Sequence, residues 1–274
     1  MLRIAVPNKG SLSGPAGEML HEAGYQQRRE SKELRIVDPT NEVEFFYLRP
    51  RDIAIYVSSG RLDIGITGRD LLIDSGADAE EILPLGFARS TFRFAGKPGT
   101  ANAVTDLKGR TVALSRDIVR STASRRRRSC RPLDGARRDR IALMWPERQS
   151  RVVETRIHLR NAGLEVFGEP IMKSEAVVIR RSGADADEPK VQQFLRRLQG
   201  VLVARTYVMM DYDCRVEQLE KAVALTPGLI PDVSRGTRGW VAFAHGPAKE
   251  AQRIMDDLYD IAPRASDTAT SCLL

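Results

Sequence analysis

Charged side chains follow three short apolar runs of the sequence, each at the point where a helical pattern begins. Lys9 follows the first run, Arg49 and Arg51 follow the second, and Asp70 follows the third. Ammonium and guanidinium groups bind phosphate oxygens, and a carboxylate can bind a sugar hydroxyl or a metal ion that accompanies the phosphates. These residue types therefore predict a site for a polyphosphate with its metal.

The stretch 61–76, R-L-D-I-G-I-T-G-R-D-L-L-I-D-S-G, indicates how one of these groups is positioned. Apolar residues at 62–66 favour a buried strand, Thr67 and Gly68 favour a tight turn, and the residues that follow favour a helix. A buried parallel strand presents polar residues at its carboxyl edge, where α/β sheets bind their ligands. The alternative is an ordinary turn in which a carboxylate favours the helix N-terminus. The candidate site residues here are Thr67, Arg69 and Asp70.

The same order of strand, turn and helix occurs twice earlier in the chain. Residues 2–6 predict a strand before a helix, and Lys9 and Gly10 lie between the two, where backbone N–H groups can hold an anion. Residues 43–48 predict another strand, and Pro50 suits the start of the next helix because its backbone angle is already fixed. Each loop alone is equally typical of a solvated turn. A parallel sheet, however, would bring all three turns to one edge.

Two further strands are predicted by the apolar runs at 83–88 and 91–95. Ser90 is polar and lies between them, so it joins the candidate site residues. The sequence K-P-G at 97–99 then indicates a crossover into a second compact unit.

Length and composition are those of a globular protein. The 274 residues can bury a large core and suit two or three compact units. The sequence has no run of the roughly twenty apolar residues that a bilayer span needs, and it enters its first strand without a signal-peptide core. Cys130, Cys214 and Cys272 lack metal-ligand spacing, which argues against structural zinc and suits a reducing compartment. We therefore expect a cytoplasmic protein, and we assign no residues as metal ligands.

One segment carries the whole excess of positive charge. Residues 116–151 contain twelve arginines and four acidic residues, a net charge of +8, whereas the whole chain has a net charge of +7. The run R-R-R-R at 125–128 is accompanied by little apolar periodicity, so the segment predicts no packed element. One hypothesis is translation out of register, because GC-rich codons read in a shifted frame often encode arginine. The rival hypothesis is a nucleic-acid-binding insert, in which Trp145 alone could stack on bases.

Several long motifs identify a family. They are V-P-N-K-G-S-L at 6–12, F-F-Y-L-R-P-R-D-I at 45–53, D-I-G-I-T-G-R-D at 63–70, and G-E-P-I-M-K-S-E-A-V-V-I at 168–179. With M-D-Y-D-C and L-T-P-G farther on, they closely resemble the ATP phosphoribosyltransferases, the first enzymes of histidine biosynthesis. The tail after Tyr207 resembles the long form of that family, which carries its own regulatory domain.

The resemblance implies an α/β fold with a two-lobed catalytic part like that of the periplasmic binding proteins of type II. The first lobe would comprise residues 1–93 plus 175–205, and the second lobe residues 94–174. A ferredoxin-like regulatory domain with the element order βαββαβ would follow at 206–274. Family members of this form assemble as homodimers and hexamers.

The chemistry implied by the resemblance is transfer of a phosphoribosyl group. Adenine N1 of ATP displaces pyrophosphate from C1 of 5-phosphoribosyl 1-diphosphate, with Mg²⁺ as the cofactor. Because N1 already carries a lone pair, no strong general base is needed, and catalysis depends on positioning and on cations at the leaving group. The implied catalytic residues are Lys9, Arg49 and Asp70, and the implied substrate-binding residues are Gly10, Arg51, Thr67, Arg69, Ser90, Glu154 and Thr155.

The regulatory domain of the family binds L-histidine as a feedback inhibitor. The corresponding region of this chain contains Asp213 and Leu229. After L-T-P-G the chain continues as I-P-D-V at 230–233, where the family has E-S-P-T, and this difference argues against inhibition. Translation out of register is a hypothesis for 230–238, 243–246 and 263–274 as well. The expected partners are thus ATP, phosphoribosyl diphosphate and L-histidine, without a membrane or a nucleic acid.

The phosphoribosyl loop departs from the family pattern D-x-V-x-x-G-x-T-L. Arg151 replaces Asp, Arg156 replaces Gly and His158 replaces Thr, while Glu154 and Thr155 are present. A Gly lets the backbone approach a phosphate closely and a Thr hydroxyl donates to it, so both contributions are lost. An alternative function is therefore that of a catalytically impaired ligand-binding or regulatory homologue.

Overall fold

The computed structural model describes residues 1–28, 30, 32–99, 101, 103, 106, 112–114, 130–132, 142–148, 163–226, 232–236, 239–247, 249–261 and 268–270. The chain divides into two compact units, Met1–Gln192 and Gln193–Leu274. Most of the Arg-rich segment 116–151 lies outside the described residues. The division into lobes 1–93 plus 175–205 and 94–174, followed by a domain at 206–274, stays a prediction.

Two sheets with helices make up the first unit. In chain order its elements are β1 (Leu2–Pro7), α1 (Ser13–Glu22), β2 (Arg35–Asp38), β3 (Val43–Leu48), α2 (Pro50–Ser58), β4 (Ile64–Gly68), α3 (Arg69–Ser75), β5 (Ala79–Pro84), β6 (Ser90–Gly96), β7 (Val112–Leu114), β8 (Cys130–Pro132), β9 (Ala142–Arg148), β10 (Glu165–Ser174) and β11 (Ala176–Arg181). Helix α4 (Pro189–Ala204) comes next in the chain.

The first sheet has the strand order β2-β3-β1-β4-β11-β5. Strand β1 pairs in parallel with β3 and with β4, which confirms the predicted parallel arrangement of these three strands. Strand β11 runs antiparallel between β4 and β5, so the chain returns to this sheet after forming the second one. The carboxyl ends of β1, β3 and β4 consequently share one edge of the sheet.

The second sheet has the order β10-β6-β9-β7-β8, and β6 runs antiparallel to both of its neighbours. Two segments connect the sheets, one from β5 to β6 and one from β10 to β11. They are joined by backbone hydrogen bonds from Leu85 N–H to Ala176 O (2.9 Å) and from Ala176 N–H to Phe87 O (3.0 Å). The two connections therefore run side by side.

The predicted strand at 83–88 is wrong in its bounds. Strand β5 spans Ala79–Pro84, and the residues after it turn. Gly86 and Ala88 have φ angles of 72° and 52°, which lie in the left-handed region and cannot continue a strand. The apolar run alone did not reveal this turn, whereas the strand predicted at 91–95 is confirmed as β6.

Helix α2 packs tightly on the first sheet. Pro50 is its first residue, as predicted, and Ile53, Ala54 and Val57 are fully buried on its inner face. A Cβ atom at Gly65 of β4 would lie 2.5 Å from Ile53 Cγ2, so only a glycine permits this close approach. The position of α2 on the sheet is thus fixed by a residue without a side chain.

The second unit has the predicted βαββαβ order. Its elements are β12 (Tyr207–Cys214), a short 3₁₀ turn (Val216–Gln218), α5 (Leu219–Leu225), β13 (Asp232–Gly236), β14 (Gly239–Pro247), α6 (Ala251–Ile261) and β15 (Thr268–Thr270). The strand order is β13-β14-β12-β15, with every pairing antiparallel. Met210 and Tyr212 of β12 pack with Ala222, Ile254 and Leu258 of the two helices. Among the described residues, no helix combines the length and the apolar character needed to cross a membrane.

Candidate active site

A cavity of about 550 Å³ opens at the shared carboxyl edge of β1, β3 and β4. Its wall includes three cationic side chains, those of Lys9, Arg49 and Arg51, and two carboxylates, those of Asp52 and Asp70. Six of the residues predicted for the site line this cavity, namely Lys9, Gly10, Arg49, Arg51, Asp70 and Ser90. Groups from three separate turns therefore face one space.

The loop after β1 carries Lys9 and Gly10 into the cavity wall. Gly10 has a φ angle of 80°, which a glycine adopts without strain, and its carbonyl accepts a hydrogen bond from Ser13 N–H (3.2 Å) at the start of α1. The loop is also held from outside, because Arg28 Nη2 donates to Asn8 O (3.0 Å). The Arg28 guanidinium lies 4.4 Å from the ring centroid of Tyr47, whose pKa is raised by burial. These contacts restrict the position of the lysine.

The turn after β3 presents Arg49 and Arg51 on either side of Pro50. Arg49 precedes the helix with extended backbone angles, φ −64° and ψ 134°. Thr67, fully buried at the end of β4, donates its hydroxyl to Pro50 O (2.8 Å). Thr67 does not line the cavity but joins two of the turns that do.

Asp70 lies in the first turn of α3 and reaches the cavity beside Gly68. A Cβ atom built on Gly68 would overlap Asp70 Oδ1, so the glycine provides the space that this carboxylate occupies. Ser174, at the end of β10, exchanges two hydrogen bonds with Asp70, each of 2.9 Å. The Asp70 carboxylate is therefore held against the backbone of Gly68 at the carboxyl end of β4.

Arg69 is not among the residues that line the cavity. Its Nε and Nη2 donate to the two carboxylate oxygens of Glu81 (2.8 and 2.6 Å), and Nη2 also donates to Glu175 Oε1 (3.2 Å). The hydrogen bonds to Glu81 and then those to Glu175 raise the pKa of Arg69. The positive charge of Arg69 is thus paired with two carboxylates of the protein itself, next to the segments that connect the two sheets.

Eight of the residues that line the cavity were not among the predicted site residues, and Asp52 and Phe92 are two of them. Asp52 is in the motif R-P-R-D and could have been inferred from its neighbours Arg49 and Arg51, whereas Phe92 is an apolar residue inside a strand and gives no signal. Other predicted positions cannot be compared with the cavity. Glu154, Thr155 and Leu229 lie outside the described residues, and Asp213 belongs to β12 of the second unit, where it pairs with Val241.

We searched the part of the chain that the structure describes for side chains that could bind a metal ion without a substrate. No group of three or more His, Cys, Asp or Glu side chains there could hold a metal ion. Asp52 and Asp70 share the cavity wall with the three cations. This donor set suits a metal that is bound mainly by the phosphates of a substrate.

Two family models match the chain. One described as ATP phosphoribosyltransferase matches residues 49–200, and one described as the HisG C-terminal domain matches residues 204–265. The ATP phosphoribosyltransferase of Streptomyces coelicolor is 77% identical over 274 residues, which cover 97% of this chain and 96% of the relative. That of an Arthrobacter species is 54% identical over 275 residues, with the same coverage of 97% and 96%.

A solved structure supports the fold. The ATP phosphoribosyl transferase (HisG:HisZ) complex from Thermotoga maritima has a chain that aligns with a TM-score of 0.58 at 23% identity, covering 74% of this chain and 99% of that one. The predicted fold class, an α/β catalytic part with a further C-terminal domain, is confirmed by this likeness and by the match at 204–265. The chain belongs to the ATP phosphoribosyltransferase family, whose members catalyse the first step of histidine biosynthesis, and it has the long form of that enzyme.

Proposed function

We propose that the cavity at the carboxyl edge of β1, β3 and β4 is the active site and that Lys9, Arg49 and Asp70 are its catalytic residues. The observation that carries this proposal is the convergence of Lys9, Arg49 and Arg51 on one cavity together with Asp70. Parallel strands present such residues at a common edge, and several cations there match the negative charge of two phosphorylated substrates.

The reaction places particular demands on these side chains. A positive charge develops at C1 of the ribose while anionic pyrophosphate departs, so cations fixed near the leaving group lower the barrier. Lys9 and Arg49 supply such cations from loops that are already held in place, which reduces the reorganisation needed during the reaction. Asp70 supplies the carboxylate for a ribose hydroxyl, the adenine or the metal.

The remaining predicted residues support these three. Gly10, Arg51 and Ser90 line the same cavity and contact the substrates in this proposal, and Glu154 and Thr155 bind the phosphoribosyl group. Thr67 and Arg69 act through the scaffold, because the hydroxyl of Thr67 binds Pro50 and the guanidinium of Arg69 binds Glu81 and Glu175.

Mg²⁺ is proposed as the cofactor. It typically binds through one or two carboxylates together with substrate phosphates, and Asp70 and Asp52 are the carboxylates that would hold it here. The ion would neutralise charge on the departing pyrophosphate.

Release of pyrophosphate from ATP and 5-phosphoribosyl 1-diphosphate tests the proposal. We expect Arg49→Gln to lower kcat/KM by about 10²–10³-fold, because a positioned cation is removed from the side of the departing pyrophosphate. Arg61→Gln makes the same change of charge at an exposed side chain outside the cavity wall, near Tyr56, and should leave kcat/KM within about twofold of the unaltered enzyme.

Equal losses in the two arginine variants would contradict the assignment of this cavity. No pyrophosphate release by the unaltered chain, with ATP still bound, would favour the catalytically impaired homologue that the loop residues Arg151, Arg156 and His158 suggest.

For the second unit we propose binding of L-histidine as a feedback inhibitor, with Asp213 and Leu229 in the binding region. The match of residues 204–265 to the C-terminal domain of the family supports this role. Assembly into homodimers and hexamers and a cytoplasmic location complete the proposal.

A further inference from the structure

Ser174 is a buried serine, 4% exposed, at the end of β10. Its hydroxyl accepts a hydrogen bond from Asp70 N–H (2.9 Å) and donates one to Asp70 Oδ1 (2.9 Å). The two residues are 104 positions apart in the sequence. One side chain therefore contacts both the backbone and the carboxylate of Asp70.

The backbone contact fixes the start of helix α3. The first N–H groups of a helix have no partner within it, and the residue before the helix usually provides one through its side chain. Here that residue is Gly68, which has no side chain that could accept a hydrogen bond from these groups. Arg69 N–H instead donates to Glu175 O (2.9 Å) and Asp70 N–H donates to Ser174 Oγ, so the connection from β10 to β11 replaces the missing cap.

The side-chain contact fixes the direction of the carboxylate. Asp70 Oδ1 occupies the space over Gly68 that a Cβ atom would fill, and the Ser174 hydroxyl donates to this same oxygen. A hydrogen bond to a charged acceptor is stronger than one between neutral groups, so it favours one orientation of the carboxylate over others. The carboxylate then presents itself to the cavity in a defined geometry.

We infer that Ser174 is a positioning residue for the transferase reaction and that it acts through Asp70. This inference rests on the catalytic role proposed for Asp70. Ser174 itself is not among the residues that line the cavity. Its position at the junction of the two sheets means that the carboxylate is oriented by the segment that connects them.

A double-mutant cycle with pyrophosphate release as the readout tests this inference. We expect Ser174→Ala to lower kcat/KM by about tenfold or more, which is the effect of losing a hydrogen bond to a charged group. Because Ser174 acts through Asp70, the same substitution should cause no further loss in the Asp70→Ala background. Ser174→Thr retains the hydroxyl and should recover most of the activity.

Ser75→Ala is the matched control. The Ser75 hydroxyl also donates one hydrogen bond, to Leu72 O (2.6 Å), and accepts one, from Ala77 N–H (3.1 Å), at the other end of the same helix. Its loss should lower the melting temperature as Ser174→Ala does, while kcat/KM stays within about twofold of the unaltered value.

Losses that multiply in the Ser174→Ala, Asp70→Ala double variant, or full activity of Ser174→Ala, would overturn the inference while the role of Asp70 stands. Full activity of Asp70→Ala would instead overturn the proposed role of Asp70 and the inference with it. If Ser174→Ala does not fold, Ser174→Cys takes its place in the cycle, because a thiol is only a weak donor.

Discussion

Asp38 shows at the scale of one residue how the first sheet depends on a charged group in its interior. The side chain is fully buried at the end of β2 and accepts hydrogen bonds from Gln26 N–H (3.0 Å), Asn41 N–H (3.1 Å) and Asn41 Nδ2 (2.7 Å). Burial by itself would raise the pKa of this carboxyl, but the hydrogen bonds from Asn41 and Gln26 outweigh it and lower the pKa below the usual 3.8.

A lowered pKa means that the ionised form stabilises the folded state. This stabilisation is complete above the ordinary Asp value and is lost as the pH falls through the lowered one. We expect Asp38→Asn to reduce the free energy of unfolding at pH 7 by about 1.5–3 kcal/mol, as measured by urea denaturation. The difference from the unaltered chain should shrink below about pH 3.8.

Asp187→Asn changes the same functional group at an exposed position and serves as the control for Asp38→Asn. At pH 7 and at pH 3, this variant should have a free energy of unfolding within about 0.5 kcal/mol of that of the unaltered chain. A loss for Asp38→Asn that is the same at pH 7 and at pH 3 would show that packing, not ionisation, is responsible.

Individual site residues could be predicted where the signal lies within a short stretch of sequence. Lys9, Arg49 and Asp70 each come within four residues of the end of an apolar run, and all three line the cavity. Arg69 follows the same rule, yet its guanidinium pairs with Glu81 and Glu175. The sequence contains no sign of that pairing, because one partner lies 106 positions away and is brought close only by the return of the chain to the first sheet.

At the scale of elements, the contact between α2 and β4 should be sensitive to a single methyl group. A Cβ atom at Gly65 would lie 2.5 Å from Ile53 Cγ2, 3.1 Å from Val57 Cγ2 and 3.2 Å from Ala5 Cβ. All three neighbours are fully buried and have no space to move into. We expect Gly65→Ala to destabilise the protein by about 1–3 kcal/mol, measured by thermal or urea unfolding.

Gly14→Ala provides the comparison for Gly65→Ala. Gly14 lies in α1, is exposed, and has no atom within 4 Å of an added Cβ. Alanine is the better helix former, so this variant should match the unaltered stability or exceed it by up to about 1 kcal/mol. If the Gly65→Ala variant were as stable as the Gly14→Ala variant, α2 would not pack on β4 as closely as described.

Strands and helices with a continuous apolar pattern could be predicted from the sequence. The pairing of the strands in the first sheet could be predicted only in part. The strands at 2–6 and 43–48 and the helix that starts at Pro50 were found from local patterns alone, whereas the βαββαβ order of the tail was implied by the family resemblance. The strand predicted at 83–88 failed because backbone angles at Gly86 and Ala88, not hydropathy, end β5. The return of residues 175–205 to the first lobe was implied by the family resemblance, but the position of β11 between β4 and β5 was not predicted.

At the scale of the whole molecule, the second unit gives a prediction about regulation. L-Histidine added during turnover should lower the rate of pyrophosphate release, as proposed for the domain matched at 204–265. Asp213→Ala should raise the inhibitor concentration needed for half inhibition by about tenfold, corresponding to the loss of one charged hydrogen bond.

Asp256→Ala removes an exposed carboxylate from α6 of the same unit and should respond to L-histidine like the unaltered chain. Equal inhibition of the Asp213→Ala and Asp256→Ala variants would show that Asp213 does not contribute to L-histidine binding. No inhibition of the unaltered chain would agree instead with the altered continuation I-P-D-V at 230–233.

The interleaving of distant segments in the first sheet has a consequence for how the protein is made. In the described part of the chain, β5 joins this sheet through β11, and β11 also covers the free side of β4. A ribosome that adds about 5–20 residues per second needs roughly 5–20 s to pass from Pro84 to Arg181. During that interval the edge of β4 is a template for pairing with other nascent chains, so we expect slower translation or crowded polysomes to favour aggregation before the finished enzyme exists.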